Sequence, residues 1–206
     1  TYILKKKEKS KVSKFANAKL KTIAVRFPKN KIIRSLLKKL NFPLAIPSAN
    51  ISTGVSPTEP LDVVDEFKNK IKFILNGGKS IIGLESTVIN LSNKPRILRP
   101  GAISNIQIGK ILKKKVSNVA VSKLIVSPGM LKRHYSPGIP IKLNCLKKED
   151  KAAFIVFGKK YKKAKNIFNL CLKGNLEEAA KNLYKTLRKI KNLKHCSFFM
   201  VMQEIF

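Results

Sequence analysis

Residues 42–58 read FPLAIPSANISTGVSPT. FPLAI (42–46) has the composition of a short buried strand. From Ile46 to Thr58 there is no charge, although lysine and arginine make up 44 of the 206 residues. A strand that empties into such a loop brings Ser48, Asn50, Ser52, Ser56 and Thr58 to a strand end. Backbone N–H groups freed there can form a nest for phosphate. The same residues suit an Asx or Ser turn that caps the following helix, and both readings stand at this point.

Outward from this stretch, strands and helices alternate. KLKTIAVRFP (19–28) reads as a strand stopped by Pro28, and NKIIRSLLKKL (30–40) as an amphipathic helix with Ile32, Ile33, Leu36, Leu37 and Leu40 on one face. Pro60 at a first helical turn opens LDVVDEFKNKI. IKFILNGG (71–78) reads as a strand ending in a glycine turn, IIGLESTVINL as one or two strands, and RILRPGA as a strand running into a tight turn. Ser104 is placed to cap a helix through Leu112. The pattern predicts an α/β domain over 1–120.

Residues 121–142 carry three prolines and two SPG triplets and read as a linker. It is not a bland spacer, because Met130, Leu131, His134 and Tyr135 stand among the breakers. Over 143–206, AAFIVFG and KNIFNLCL read as strands, Asn175 to Glu178 has capping-box form opening a helix to about Leu193, and CSFFMVM reads as a third strand. This is a small, incomplete β-α-β domain. The first residues, TYIL, and the last, VMQEIF, are both strand-like, so the chain is expected to be cut inside structure at both ends.

Hydrophobic residues make up 44% of the chain, enough for a core, and no apolar run is long enough to span a bilayer. No membrane partner is expected. Cys145, Cys171 and Cys196 show no CxxC spacing and read as reduced thiols of a cytoplasmic protein. The formal charge of +33 points to a nucleic-acid or phosphate partner. The excess is nearly all lysine in a chain also rich in Ile and Asn, so AT-rich coding accounts for it equally well. The six arginines, Arg26, Arg34, Arg96, Arg99, Arg133 and Arg188, are then the more informative cations, since only they offer a planar fork of donors. Arg26 and Arg99 each end a strand just before a proline. Each is placed to clamp a phosphate or carboxylate, or to form a surface ion pair. Walker and Rossmann glycine loops, a Ser–His–Asp arrangement and paired strand-side carboxylates are all lacking. Chemistry that needs a side-chain proton shuttle is therefore not expected.

TIAVRFP, PLAIPSANISTGVSPT, ILNGGKSIIGLESTVINL, ILRPGAIS and SPGMLKRHYSP, in that order, resemble one family closely: threonylcarbamoyl-AMP synthase, the long two-domain form of the YrdC-like family. The strongest matches are the Ser-x-Asn of PSAN, GLEST and LRPG. The resemblance implies a YrdC-like twisted mixed sheet with helices around a basic cavity, followed by a partial Rossmann-like β-α-β domain. It implies a reaction of L-threonine, bicarbonate and ATP, with Mg²⁺ bridging the phosphates, to give threonylcarbamoyl-AMP and pyrophosphate. A downstream tRNA threonylcarbamoyl transferase would use the product, and contact with tRNA or double-stranded RNA is a further implied partner. By residue, the resemblance implies ATP contacts at Thr22, Ser48, Asn50, Ser56, Arg99 and Tyr135, the last closing over the nucleotide from a lid. It implies L-threonine contacts at Arg26, Ile46 and Ser86. No catalytic acid or base and no protein-held metal are implied, because a carbamate attacks the α-phosphorus as an anion.

The family carries a further N-terminal stretch that contacts both ATP and threonine, so residues 1–206 alone are expected to be inactive. Other readings are an RNA-binding module without catalysis, a carbamoyl-adenylate enzyme of hydrogenase maturation, and a fragment of a degraded gene. No aromatic-rich RNA-binding stripe supports the first. The SPGM…RHYSP linker is not expected in the second.

Overall fold

The computed structural model describes residues 1–118, 135–161, 163–193 and 198–202, the last as backbone. Met130, Leu131, Arg133, His134, His195 and Cys196 lie outside these residues, as does most of the predicted linker. By packing, the chain divides into two compact units. One gathers Thr1–Pro47 with the stretch that begins at Glu85; the other gathers Ser48–Leu84 with the described residues from Tyr135 onward.

The first unit is built on a five-stranded mixed sheet. Its strands are β1 (Tyr2–Lys5), β2 (Thr22–Val25), β3 (Val88–Asn90), β4 (Arg96–Arg99) and β5 (Ser117–Asn118), in the order β2-β1-β3-β4-β5. The β1/β2 and β3/β4 pairs are antiparallel, and β1/β3 and β4/β5 are parallel. β2 and β3 flank β1 on its two sides, and the more than sixty residues between them include Ser48–Leu84, which belongs to the second unit. Helix α1 (Lys31–Lys38) is capped by Asn30, whose side chain accepts from the N–H groups of Ile32 and Ile33. Helix α3 (Asn105–Leu112) starts from a capping box between Ser104 and Gln107, as its sequence predicts. Its Ile108 and Leu112 pack on Ile89, Ile97 and Val116 to form this unit's core.

The second unit holds α2 (Pro60–Phe67) and a four-stranded all-parallel sheet of β6 (Ile141–Cys145), β7 (Ala152–Val156), β8 (Ile167–Asn169) and β9 (Phe198–Met202). The order is β6-β9-β7-β8, and α4 (Leu176–Lys191) makes the crossover from β8 to β9. β7 is interior and buried at every position, so AAFIV reads as one apolar run and does not alternate. Ala179, Leu187 and Ile190 of α4 join Ala153 and Ile155 of β7 in the main core. Asn175 caps α4 by accepting from the N–H of Glu178. Both units bear out the α/β class, and the first carries the expected mixed sheet.

Two expected strands are absent. Residues 42–46 and 71–78 lie outside helix and strand, with Ile46 58% and Phe73 90% exposed. Apolar composition alone does not make a strand; a neighbour must share its ladder, and among the described strands none lies beside these segments. IIGLESTVINL forms one short strand, and the strands β5 and β6 had no clear signal. Cys145 and Cys171 are free thiols, Cys171 buried. Among the described residues, no helix is long and apolar enough to cross a membrane.

Candidate active site

The candidate residues fall into both units, and each group has its own architecture. In the first unit they converge on Ser86, just before β3. The Ser86 hydroxyl shares a hydrogen bond of 2.9 Å with the Thr1 hydroxyl and accepts from Arg26 Nη2 at 3.4 Å and Arg99 Nη2 at 3.3 Å. Arg26 Nε also donates to the Thr1 hydroxyl at 3.3 Å. Arg26 leaves the sheet directly after β2, so a strand end aims it. Arg99 is the last residue of β4 and is set differently: Nε and Nη2 both donate to the Ser86 carbonyl, at 3.0 and 2.8 Å, and Nη2 lies 3.5 Å from Glu85.

The glycine of LRPG explains this corner. A Cβ on Gly101 would overlap the backbone of Glu85, Ser86 and Thr87, so only glycine lets the two chain segments touch. Thr87, itself buried, closes the contact by donating to the Ile103 carbonyl at 2.8 Å. GLEST and LRPG are therefore one structural feature, with two guanidinium groups meeting over one hydroxyl. Thr22 opens β2 opposite Lys5, and Ile46 stands in an exposed loop.

In the second unit, the neutral stretch forms a compact loop. Asn50 Nδ2 donates to the carbonyls of Ile51 at 2.8 Å and Gly54 at 3.2 Å, so the loop is tied internally. This leaves Asn50 Oδ1 buried without a hydrogen-bond partner among the described residues. An acceptor in that condition costs stability until a donor reaches it. Ser48 is exposed and Ser56 is buried. Thr58 donates through both its N–H and its hydroxyl to Asp62 Oδ2, at 2.7 and 3.1 Å, while Glu59 stands at the N-cap of α2. Tyr135 stacks on Tyr184 of α4 with ring centres 5.6 Å apart, and the next N–H, of Ser136, donates to the Thr53 carbonyl at 2.9 Å. The end of the predicted lid thus touches the loop through its backbone.

The sequence reading missed the carboxylates behind this loop. Asp62 and Glu66 stand four residues apart on α2, which puts two like charges on one helix face. Arg188 of α4 answers both, with Nε 3.2 Å from Asp62 and Nη2 2.8 Å from Glu66. Burial by itself would raise the Glu66 carboxyl. The Ile51 N–H, then Arg188, and last Lys191 outweigh it and hold the group below its ordinary value. The i,i+4 acidic pair was the available sequence signal. Its cation lies more than a hundred residues away in sequence. Among the described residues, no group of three or more His, Cys, Asp and Glu side chains is gathered to hold a metal ion.

Residues 1–101 match the Sua5/YciO/YrdC family, described as telomere recombination, and residues 103–205 match the family described as threonylcarbamoyl-AMP synthase, C-terminal domain. Threonylcarbamoyl-AMP synthase of Pyrococcus abyssi is 35% identical over 189 residues, covering 82% of this chain and 55% of the relative. The Schizosaccharomyces pombe enzyme is 41% identical over 136 residues, covering 61% and 33%. That of Bacillus subtilis is 35% identical over 132 residues, covering 60% and 37%. The chain thus spans between a third and about half the length of these relatives. The crystal structure of P. abyssi Sua5 complexed with L-threonine superposes with a TM-score of 0.84 at 30% identity, covering 98% of this chain and 64% of that one. With both segments matched, the chain belongs to the two-domain Sua5/YrdC family of threonylcarbamoyl-AMP synthases.

Proposed function

We propose that the whole protein is an L-threonylcarbamoyladenylate synthase, a nucleotidyltransferase of tRNA modification. The observation that carries this reading is the convergence of Arg26 and Arg99 on Ser86, in a chain that aligns over 98% of its length with a Sua5 solved with L-threonine. Arg26 is assigned the threonine carboxylate. Its guanidinium is exposed and its fork matches a carboxylate in two places. The Ser86 hydroxyl and the Ile46 backbone are assigned to the same end of the ligand. Ser48, Asn50, Ser56, Thr22 and Tyr135 are assigned to ATP, with the unpaired Asn50 Oδ1 as the acceptor a ligand donor would satisfy. Arg99 is assigned a phosphate-side field. Because two of its donors hold the Ser86 carbonyl, it acts from a fixed position.

The chemistry needs no titrating side chain. The threonine amine and bicarbonate give a carbamate and water. A carbamate oxygen bonds to the α-phosphorus of ATP as the bond to the β-phosphate bridging oxygen breaks, and pyrophosphate leaves with its electron pair. The barrier is the approach of two anions, and fixed guanidinium and N–H groups lower it by positioning and by charge. Mg²⁺ is proposed to arrive with ATP as substrate, where it would offset the phosphate charge.

The proposed division is 1–120 for the YrdC-like domain, 121–142 for the lid and 143–206 for the Rossmann-like domain, in a cytoplasmic protein that hands its product to a tRNA threonylcarbamoyl transferase. The match over 103–205 favours this reading over a hydrogenase-maturation enzyme. A tRNA contact is proposed at a cleft of about 540 Å³ lined by Asn93, Lys94, Arg96, Lys114, Lys115 and Ser117. Four of these residues are cationic and none is acidic. The test is pyrophosphate release from ATP by the whole protein, with threonine or bicarbonate omitted in turn, and mass detection of the adenylate. Release that ignores both omissions refutes the assignment. Steeply salt-dependent tRNA binding, with no pyrophosphate release under any condition, supports an RNA-binding module instead.

A further inference from the structure

We propose that Arg188, in the C-terminal family segment, is a positioning residue for the nucleotide loop of the N-terminal segment. The inference rests on reading residues 48–56 as that loop. Arg188 Nη1 donates to the Val55 carbonyl at 2.9 Å, and Nη2 donates to the Asp62 carbonyl at 2.9 Å and to Glu66 Oε2 at 2.8 Å. The other oxygen of Glu66, Oε1, accepts from the Ile51 N–H at 3.0 Å. One guanidinium therefore fixes the loop twice: directly at Val55, and through Glu66 at Ile51. Asn50 directly precedes the first anchor, and its side chain already ties Ile51 to Gly54, beside the second.

Several features separate this from a solvated ion pair. The Arg188 side chain is 15% exposed and the Glu66 side chain 7%, so water does not screen the pair. Four acceptors in different directions match a planar fork, and a lysine ammonium cannot reach them all. Arg188 is one of only six arginines in a chain whose default cation is lysine. Tyr184 stands one turn earlier on the same face of α4 and carries Tyr135, whose neighbour Ser136 bonds to Thr53. A Cβ on Gly83 would overlap the α4 backbone at Lys181, so the chain before GLEST is also seated on this helix. A single helix of the C-terminal segment thus sets the loop at Ile51 and Val55, and the lid foot at Tyr135. This gives α4 a role in nucleotide affinity that needs no contact of its own with the nucleotide.

The experiment compares the whole protein with Arg188→Lys, Arg188→Met and Glu66→Gln, measuring kcat and the separate KM values for ATP and threonine by pyrophosphate release. Arg188→Lys and Arg188→Met are expected to raise the ATP KM roughly tenfold, with the threonine KM within about twofold of the parent. Glu66→Gln keeps an acceptor for Ile51 but loses the charge facing Arg188, and its expected rise is roughly threefold. A purely structural role lowers the active fraction instead: kcat per mole of protein falls and neither KM moves. If Arg188→Met folds poorly, Arg188→Lys carries the test. ATP KM values unchanged in both Arg188→Lys and Glu66→Gln, or threonine KM values rising in step, overturn the positioning role. Failure of the parent to release threonine-dependent pyrophosphate overturns the functional reading, and this inference with it.

Discussion

The corner at Ser86 and the loop at 48–58 both gather small hydroxyl residues, yet they are built in opposite ways. At Ser86, cations point in. Arg26 and Arg99 come from strand ends, and a glycine lets two backbones touch so that both guanidinium groups reach one hydroxyl. In the loop the face is neutral, and the charges stand behind it: Asp62, Glu66 and Arg188 hold its N–H and carbonyl groups from the side of α2 and α4. The difference teaches where charge is useful for the proposed adenylation. A carboxylate ligand is recognised by a side-chain fork that must be present and oriented. A polyphosphate already accompanied by a cation asks for shaped backbone and hydroxyls, and stray carboxylates near it must be neutralised.

The largest effect should come from breaking the cationic corner. Arg26→Ala is expected to lower kcat/KM for threonine roughly a hundredfold, while the ATP KM stays within about twofold. Titrating each substrate against the other at saturation measures the split. An equal rise in both KM values would erase the contrast between corner and loop. Next is a stability comparison. Gly101→Ala is expected to cost about 2 kcal/mol in urea unfolding, because its Cβ meets backbone that cannot swing away. Gly54→Ala in the loop should cost clearly less, since its tightest contact is a single carbonyl at 3.0 Å. Costs in the reverse order would mean that the loop, not the corner, is the rigid element. Ser48→Ala and Asn50→Ala are smaller again. Each should raise the ATP KM roughly tenfold and leave threonine alone, as read by nucleotide protection from proteolysis or by steady-state kinetics.

Much of this was legible before any coordinates, and the unread parts share a cause. Caps are local, so Ser104, Asn175 and Pro60 announced α3, α4 and α2 at the right residues. AAFIV announced an interior strand because both faces of β7 are covered. FPLAI and IKFIL look similar to AAFIV in composition but form no strand, since strand formation depends on a neighbour that composition does not reveal. The motif residues were found by resemblance, but their wiring was not. Nothing local in RILRPG says that Arg99 donates to a carbonyl thirteen residues back, or that Gly101 lies against Glu85. Arg188 was noted only as a kept arginine, because its acceptors at Val55, Asp62 and Glu66 come together only in the folded unit.

The smallest predicted effect tests whether the charges behind the loop are as well sheltered as the geometry implies. Glu66 is held below its ordinary value of 4.5, so in the folded state it stays ionised to lower pH than in the unfolded chain. A carboxylate depressed in this way contributes stability above the unfolded value, and that contribution disappears as pH falls through the folded one. Glu66→Gln has no such proton to take up. The stability difference between parent and Glu66→Gln should therefore be constant at neutral pH and shrink only below about pH 4.5, in the parent's disfavour. Urea unfolding of both proteins from about pH 7 down to about pH 3 measures it, provided that ionic strength is fixed. A difference that grows on acidification would place the proton preference in the folded state. It would mean that burial wins over Arg188 and the Ile51 N–H, and that the loop is held by a neutral acid. A difference that begins to shrink well above pH 4.5 would have a source other than the Glu66 proton and would leave the carboxylate relay without its thermodynamic signature.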